Sequence, residues 1–490
     1  MTSLPLPRQC GNMVEILPDR LYFCSYDDNM RPKADMQTSY LNVDSEVHYE
    51  SFYSDFGPLN LSVLYRFCKK LISKLKLSKK RIVFYTSSAG QKRVNGAFLI
   101  GSFAIIFHNK SAEEVWSKLR LAQPPKYLAF RDAAMGPSTY DLLLPDVLRG
   151  VETAVRFKWL DFSTFDPDEY EFYERVENGD FNWILPGKII SFCGPHNKSC
   201  IDNGYPYHAP EVYFDFFRRH NVTTIIRLNK KMYEAKRFTN AGFDHVDLFF
   251  VDGSTPSDTI VQRFIEVVDR SKGAVAIHCK AGLGRTGTLI ACWMMKEYRL
   301  TAAECMGWIR ICRPGSIIGP QQQFLIEKQK WCWSLGDTGK TLELNGKPLN
   351  GNLTHLASKV DDIRLNHNGL LRPNSLPRRG RRSTDDAIAD ANANLEMRVD
   401  AEGNSQGDRL LHIKAVKQHQ LPRVSQPLSV HPTTGVMFTS PTTPVKPLAP
   451  PRSKPSASAL HNAHIHGHRQ LGFGEALPAT KRRTVSTDAD

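Results

Sequence analysis

The stretch Val275-Ala276-Ile277-His278-Cys279-Lys280-Ala281-Gly282-Leu283-Gly284-Arg285-Thr286-Gly287, followed by the apolar run Thr288 to Trp293, permits few local folds. An apolar segment ending at a cysteine, a loop punctuated by glycines and a second apolar run predict a buried strand, a tight loop and a helix whose first turn lies near Arg285. In that arrangement the loop amides and the unpaired N–H groups of the helix start converge on one point, with the positive end of the helix dipole behind them. Such a point favours an oxyanion and also a thiolate, so Cys279 is expected to be a nucleophile. Gly282, Gly284 and Gly287 let the backbone turn its amides inward, and the planar fork of Arg285 suits two equatorial phosphoryl oxygens. An ordinary buried thiol is the commoner explanation for any single cysteine. No other cysteine in the chain, however, has an arginine six positions on.

At 490 residues and 41% hydrophobic content, the chain has room for two or three domains with real cores. The formal charge of +14 averages over unlike regions and excludes little by itself. Ten cysteines are scattered without paired short spacings, which argues against zinc sites and a disulfide framework and for a reducing compartment. Met1 to Cys10 has no apolar signal core, and the longest apolar run, Gly96 to Phe107, is too short to span a bilayer. A soluble intracellular protein is therefore expected.

An earlier segment runs in the same order as the opening one. Arg81 to Thr86 reads as a strand, Ser87 to Asn95 as a polar loop and Gly96 to His108 as a helix, with Ser111-Ala112-Glu113-Glu114 starting another. Ala274 to Cys279, Lys280 to Gly287, Thr288 to Tyr298 and Thr301-Ala302-Ala303-Glu304 repeat that order, so a duplicated fold is expected. The plain alternative is that any two strand-loop-helix units look alike. The first copy lacks the chemistry: Thr86 or a neighbouring serine stands where the second has Cys279. Lys92 and Arg93, near the place of Arg285, have no thiol to serve.

Glu15 to Phe23 alternates like a strand, and Leu59 to Leu77 has helical periodicity. Between the copies, Phe165 to Glu177 reads as a linker helix with Pro167 in its first turn. Its acids Glu171 and Glu174 share a face, and Asp180 lies just beyond. Such acids usually form a solvated face, but beside an anion site in a basic chain they would also suit a cationic substrate segment. Strands at Lys188 to Cys193, Val222 to Leu228, Phe243 to Phe250 and Ala274 to Cys279 alternate with helices at Pro210 to His220, Ser257 to Arg270, Thr288 to Tyr298 and Ala302 to Cys312. That alternation implies a mostly parallel sheet flanked by helices. Asp252 falls on a loop 27 positions before Cys279, where an Asp-Gly pair also forms turns; its rivals Asp244 and Asp247 lie within a predicted strand. From Gly336 to Asp490 the composition predicts disorder, with basic clusters at Arg378 to Arg382 and Lys481 to Arg483 and proline-directed kinase sites at Ser440-Pro441 and Thr443-Pro444.

His278 to Gly287 resembles the signature of the cysteine-dependent protein tyrosine and dual-specificity phosphatases. With Phe249-Phe250-Val251-Asp252-Gly253-Ser254-Thr255-Pro256 before it and Arg313-Pro314-Gly315-Ser316-Ile317-Ile318-Gly319-Pro320-Gln321-Gln322-Gln323 after it, the chain from about Pro18 to Trp333 is similar to the cell-division-cycle-fourteen family of mitotic-exit phosphatases. The resemblance implies an α/β chain of two tandem phosphatase-like domains, each a mostly parallel sheet flanked by helices. The expected limits are a disordered start (1–14), a non-catalytic domain (15–160), a linker helix (161–180), a catalytic domain (181–335) and a disordered basic tail (336–490). It implies that Cys279 attacks phosphorus, that Asp252 is the general acid and then the base, and that Arg285 and the loop of His278, Lys280, Ala281, Gly282, Leu283, Gly284 and Thr286 hold the phosphoryl oxygens. His278 is then a loop-shaping partner, Thr286 eases departure of the thiolate, and Gln321 or Gln322 positions water. Phosphoserine-proline sites with a basic residue a few positions on, held by Glu171, Glu174 and Asp180, are the implied substrates. That specificity would reverse cyclin-dependent-kinase phosphorylation in mitotic exit and cytokinesis, in the nucleus and cytoplasm and at the nucleolus, centrosome or spindle. The reaction so implied requires no metal or cofactor, and no nucleic acid or membrane partner is implied.

Two alternatives remain at this point. A phosphoinositide phosphatase carries a similar loop, but tends to have a second lysine where this chain has Leu283. A non-catalytic phosphopeptide scaffold would not need Cys279, Arg285 and Asp252 together.

Overall fold

The computed structural model describes residues 13–27, 32–122, 125–202, 204–344 and 403–420, all within one compact unit ending at Arg423. The first half contains β1 (Val14–Leu17), β2 (Leu21–Tyr26), β3 (Thr38–Leu41), α1 (Leu61–Leu77), β4 (Arg81–Ser87), α2 (Gly90–His108), α3 (Ala112–Leu119) and α4 (Leu144–Arg156). A short helix, α5 (Pro167–Glu174), joins it to the second half. There β5 (Phe181–Leu185), β6 (Ile189–Phe192), β7 (Cys200–Asp202), β8 (Tyr205–Tyr207), α6 (Phe214–Arg219), β9 (Val222–Arg227), α7 (Lys236–Thr239) and β10 (Asp244–Asp247) are followed by α8 (Asp258–Arg270), β11 (Ala274–His278), α9 (Gly284–Tyr298), α10 (Ala302–Cys312) and α11 (Pro320–Leu344). A last helix, α12 (Gln406–Gln420), stands apart in sequence.

The two larger sheets have one plan, and β7 and β8 pair separately. In the first, the order is β1-β2-β4-β3; in the second it is β5-β6-β11-β9-β10, the same order with one strand added at the edge. Each opens with an antiparallel hairpin, and the other neighbours run parallel. Leu17 pairs with Leu21 and Leu21 with Ile82, as Leu185 pairs with Ile189 and Ile189 with Val275. Four residues further along each central strand stand Thr86 and Cys279, so the register resolves which residue of the first copy occupies the place of the thiol. The likeness continues past the next helix: α2 and α9 both end at a residue with left-handed backbone, Asn109 and Arg299. Both α3 and α10 then start from a reciprocal cap, Ser111 with Glu114 and Thr301 with Glu304.

One apolar core runs through both copies, which pack through α4 and α10. A Cβ on Gly150 would lie 2.9 Å from the Glu304 carbonyl oxygen, and one on Gly307 would lie 2.9 Å from Val147 Cα. Glycine at both positions lets the two helix backbones touch.

Several expectations are corrected. The single strand expected over Glu15–Phe23 is a hairpin, turned at Asp19, where φ is +52°. Helix α2 begins at Gly90 rather than Gly96, because the guanidinium of Arg93 is buried against the carbonyls of Ala122 and Pro125, at 2.7 Å each. The linker helix covers only 167–174, since Arg175 takes extended backbone and a short 3-10 turn follows. Strand β10 stops at Asp247, and β5 was not foreseen. The expected tail is ordered in two places. Helix α11 runs past Gly336, whose bare Cα lets the helix approach the Lys296 carbonyl, where a Cβ would lie at 2.2 Å. Helix α12 buries Leu410, Leu411 and Ala415 against the second domain. The basic clusters and the Ser-Pro and Thr-Pro pairs lie outside the described residues. No helix among the described residues is long and apolar enough to cross a membrane.

Candidate functional site

Strand β11 lies at the centre of its sheet, fully buried between β6 and β9, and delivers Cys279 to the carboxyl edge of the parallel strands. This is the edge where open α/β sheets bind ligands. The loop that follows has its carbonyls tied outward. Cys279 O faces His278 Nδ1 at 3.0 Å, and Lys280 O accepts from the Gly194 amide at 2.9 Å. Ala281 O accepts from Arg313 at 3.0 Å, and Gly282 O from Arg313 and Ser191, both at 2.8 Å. Because a trans peptide sets each N–H opposite the preceding carbonyl, the amides of Lys280, Ala281, Gly282 and Leu283 face the other way, toward the concave side. The start of α9 adds its own unpaired amides. Gly282 has φ of +65°, and a Cβ there would meet Phe192 O at 2.0 Å, so only glycine fits.

Around this cradle the expected residues assemble. Cys279 is 3% exposed. Arg285, on the first turn of α9, donates to Phe250 O at 2.9 Å and pairs with Asp252 at 3.2 Å. Its Nε and the Thr286 hydroxyl are both buried without a hydrogen-bond partner, a costly state that a tetrahedral oxyanion and a thiolate would relieve. Asp252 sits on a turn closed by Ser254 onto Val251 O, with Gly253 at φ of +74°. The Asp-Gly pair therefore both makes the turn and aims the carboxylate at Arg285. Of its rivals, Asp247 is held bidentately by buried Arg227, and Asp244 is exposed.

His278 is wholly buried, and burial drives its imidazole well down, to about 3, so the ring is neutral. Since Cys279 O can only accept, Nδ1 carries the proton and Nε2 accepts from the Tyr233 hydroxyl at 2.8 Å. Gln321 and Gln322 are both fully buried but differ in partners. Gln321 bridges the Ile318 amide and Ser254 O, and its side chain crowds Gly284. Gln322 accepts from buried Arg310 at 2.8 Å. Their loop is also tied to the first domain, where Asp132 accepts from the Gly319 amide. Lys280 pairs with Asp408 of α12, and Leu283 is buried in an apolar cluster shared with Ala281, Ile318 and that helix.

The three acids of the linker region fare differently. Glu171 is engaged by Arg66 at 3.0 Å and by Ser62. Glu174 lines a groove of about 710 Å³ with Glu50, Glu177 and Arg313, and burial pushes its carboxyl up to about 7. Asp180, expected with Glu171 and Glu174 to hold a cationic segment, lies away from solvent. With α12 in place it is fully buried, bound by Arg313 at 2.9 Å, by Tyr205 and by Lys414. Burial opposes its ionisation, but the charges of Arg313 and Lys414 prevail and hold its carboxyl below the usual range.

Arg313 was missed by sequence reasoning as a site residue, although it opens the stretch Arg313 to Gln323 that carries part of the family resemblance. It ties Asp180 to two loop carbonyls, a link between segments about 130 residues apart that no local pattern announces. Gly407 was missed as well; its amide donates to Asp252 at 2.9 Å. Among the described residues, no group of three His, Cys, Asp or Glu is placed to hold a metal ion.

Residues 15–154 match a family described as dual specificity protein phosphatase, N-terminal half, and residues 206–298 one described as polymorphic toxin system, DSP-PTPase phosphatase. The chain is similar to tyrosine-protein phosphatase cdc-14 of Caenorhabditis elegans, 52% identical over 84% of this chain and 63% of that protein. It is 52% identical to dual specificity protein phosphatase CDC14A of Homo sapiens, over 84% of this chain and 67% of that protein. Dual specificity protein phosphatase CDC14AB of Danio rerio is 49% identical, over 92% of this chain and 71% of that protein. The chain spans 63% and 67% of the first two of these relatives.

Proposed function

Because the chain belongs to the CDC14 family of dual-specificity protein phosphatases, we propose that it hydrolyses phosphoserine, phosphothreonine and phosphotyrosine in proteins through a cysteinyl-phosphate intermediate. The observation that carries this reading is the convergence of Cys279, inward loop amides, Arg285 and Asp252 on one concave point. The Cys279 thiolate attacks phosphorus in line, forming the S–P bond as the P–O bond to the leaving group breaks. Asp252, protonated for this step, gives its proton to the departing oxygen. A water then attacks phosphorus and passes its proton to the Asp252 carboxylate, while the S–P electrons return to sulfur and inorganic phosphate leaves. Arg285 and the amides hold the equatorial oxygens in both steps. Thr286 donates to the returning thiolate. Gln321, tied to the Asp252 turn, positions the water, and Gln322 supports the loop through Arg310.

Arg313 supplies a test of the cradle. Arg313→Lys keeps a cation opposite Asp180 but cannot span the carbonyls of both Ala281 and Gly282. Losing one or two charge-assisted hydrogen bonds is expected to lower kcat/KM about 10- to 100-fold. Circular dichroism checks that the fold survives, and unchanged kinetics would show that the carbonyls need no clamp.

The substrates are phosphoserine-proline segments with a downstream basic residue, which places the enzyme opposite cyclin-dependent kinases in mitotic exit and cytokinesis. Supporting this is the acidic groove beside the cradle, with Glu174 facing it and Asp180 already holding a lysine. The test compares kcat/KM on two peptides, phosphoserine-proline followed by lysine or by alanine at the third position, and on an inositol phospholipid. The lysine peptide is expected to be the best substrate. As pH rises through about 7, Glu174 ionises, so the lysine-to-alanine ratio is expected to grow between about pH 6 and 8 and to shrink as pH falls. A flat ratio removes Glu174 from recognition, and preference for the lipid overturns the protein-phosphatase reading.

A further inference from the structure

Helix α12 lies in the groove where substrate would bind. At its start, the Gly407 amide donates to Asp252 Oδ2 at 2.9 Å, and Asp408 pairs with Lys280 of the phosphate loop. In its middle, Leu410, Leu411 and Ala415 are buried in a cluster with Ala281, Leu283, Ile318, Cys193, Tyr205 and Phe52. Further along, Lys414 reaches Asp180, and Ile413, Lys414 and Lys417 line the acidic groove. The helix therefore engages the candidate general acid, a cation of the cradle and the buried acid at once. Ser405 caps its first turn through Asp408, which fixes where the chain enters.

Spacing makes this placement a form of mimicry. Gly407 and Lys414 are seven residues apart, about 10 Å along a helix at 1.5 Å per residue. An extended peptide covers the same distance in about three residues. A phosphoserine at the cradle with a lysine three positions on would place its charge where Lys414 now lies.

We infer that residues 405–417 are an intramolecular competitor of the phosphopeptide, seated on Asp252, Lys280 and Asp180, which a substrate must displace. The inference rests on the assignment of this groove as the substrate site. It explains why a segment in an otherwise low-complexity tail carries an apolar pair, Leu410 and Leu411, between an acid for Lys280 and a lysine for Asp180. A helix seated nine-tenths of the time would weaken apparent substrate affinity about 10-fold.

The experiment uses the full chain and the same chain carrying Leu410→Glu and Lys414→Glu, which alter only the helix. Both are assayed for KM and kcat on the lysine-bearing phosphopeptide. In parallel, the Kd of that peptide is measured by calorimetry in a Cys279→Ser background, where competition is read without turnover. KM and Kd are both expected to fall about 10-fold in the helix variant with kcat held or raised. A synthetic peptide of residues 403–420 added to the variant is expected to raise KM again without changing kcat. Unchanged or weaker affinity in the variant overturns the proposal, as does a failure of the synthetic peptide to compete. If neither protein turns over peptide while Kd still falls, the reaction assigned above fails and the competitor stands.

Discussion

Cys279→Ser is expected to lower phosphopeptide turnover by a factor on the order of 10⁵ or more, the scale seen when a catalytic nucleophile is removed, while leaving affinity for the phosphorylated peptide within about twofold. A serine hydroxyl is close to the thiol in size and should be accepted at a position 3% exposed, so the loop and its tied carbonyls remain. The hydroxyl is not ionised near neutral pH, and the cradle holds the phosphoryl group beside an atom that cannot attack. Phosphate release and calorimetric binding on one sample read both halves. Residual turnover above about 1% of the parent would mean that another group is the nucleophile.

Asp252→Asn is expected to lower kcat on phosphoserine peptides by about 10²–10⁴, the usual contribution of a positioned general acid. An aryl phosphate with a weakly basic leaving group should lose far less in the first step, because its oxygen departs without a proton. Asparagine keeps the shape of the turn and an acceptor for the Gly407 amide, so the change tests proton transfer more than packing. It also removes the carboxylate facing Arg285 at 3.2 Å. Rapid-quench measurement of cysteinyl-phosphate formation on the two substrates separates the roles. Equal losses on both would show that Asp252 acts by holding Arg285.

Much of the site was legible because its parts are close in sequence. The strand to Cys279, the loop and the first turn of α9 are contiguous, so hydrophobicity, glycine spacing and the arginine are read together. Asp252 could be proposed from its loop and from the family resemblance, but not that its turn would direct the carboxylate to Arg285. Less legible was the fate of the acids. Glu171, Glu174 and Asp180 look alike in a composition of acids near a helix, yet they become an ion-paired side chain, a groove wall with a raised carboxyl and the buried partner of Arg313. Charge type is local, whereas burial and counter-charge come from segments far away. The duplication was visible as an order of elements, but choosing Thr86 as the counterpart of Cys279 needed strand register.

The tail sets the limit of compositional reasoning. Low hydrophobicity and abundant proline and serine describe the segment as a whole, and they hide one turn-and-a-half of apolar residues that finds a partner only once Ala281, Leu283 and Ile318 are brought together. By itself, the amino-acid order determined a cysteine at a strand end, a glycine-punctuated loop leading into a helix after it and two copies of one plan, because backbone geometry follows from neighbouring residues. Only the tertiary structure decided which carbonyls are pinned, which acids remain available and that α12 lies across the groove. Those outcomes depend on hydrogen bonds and desolvation between groups outside the local stretch, 32 residues apart for Arg313 and Ala281 and 234 for Lys414 and Asp180.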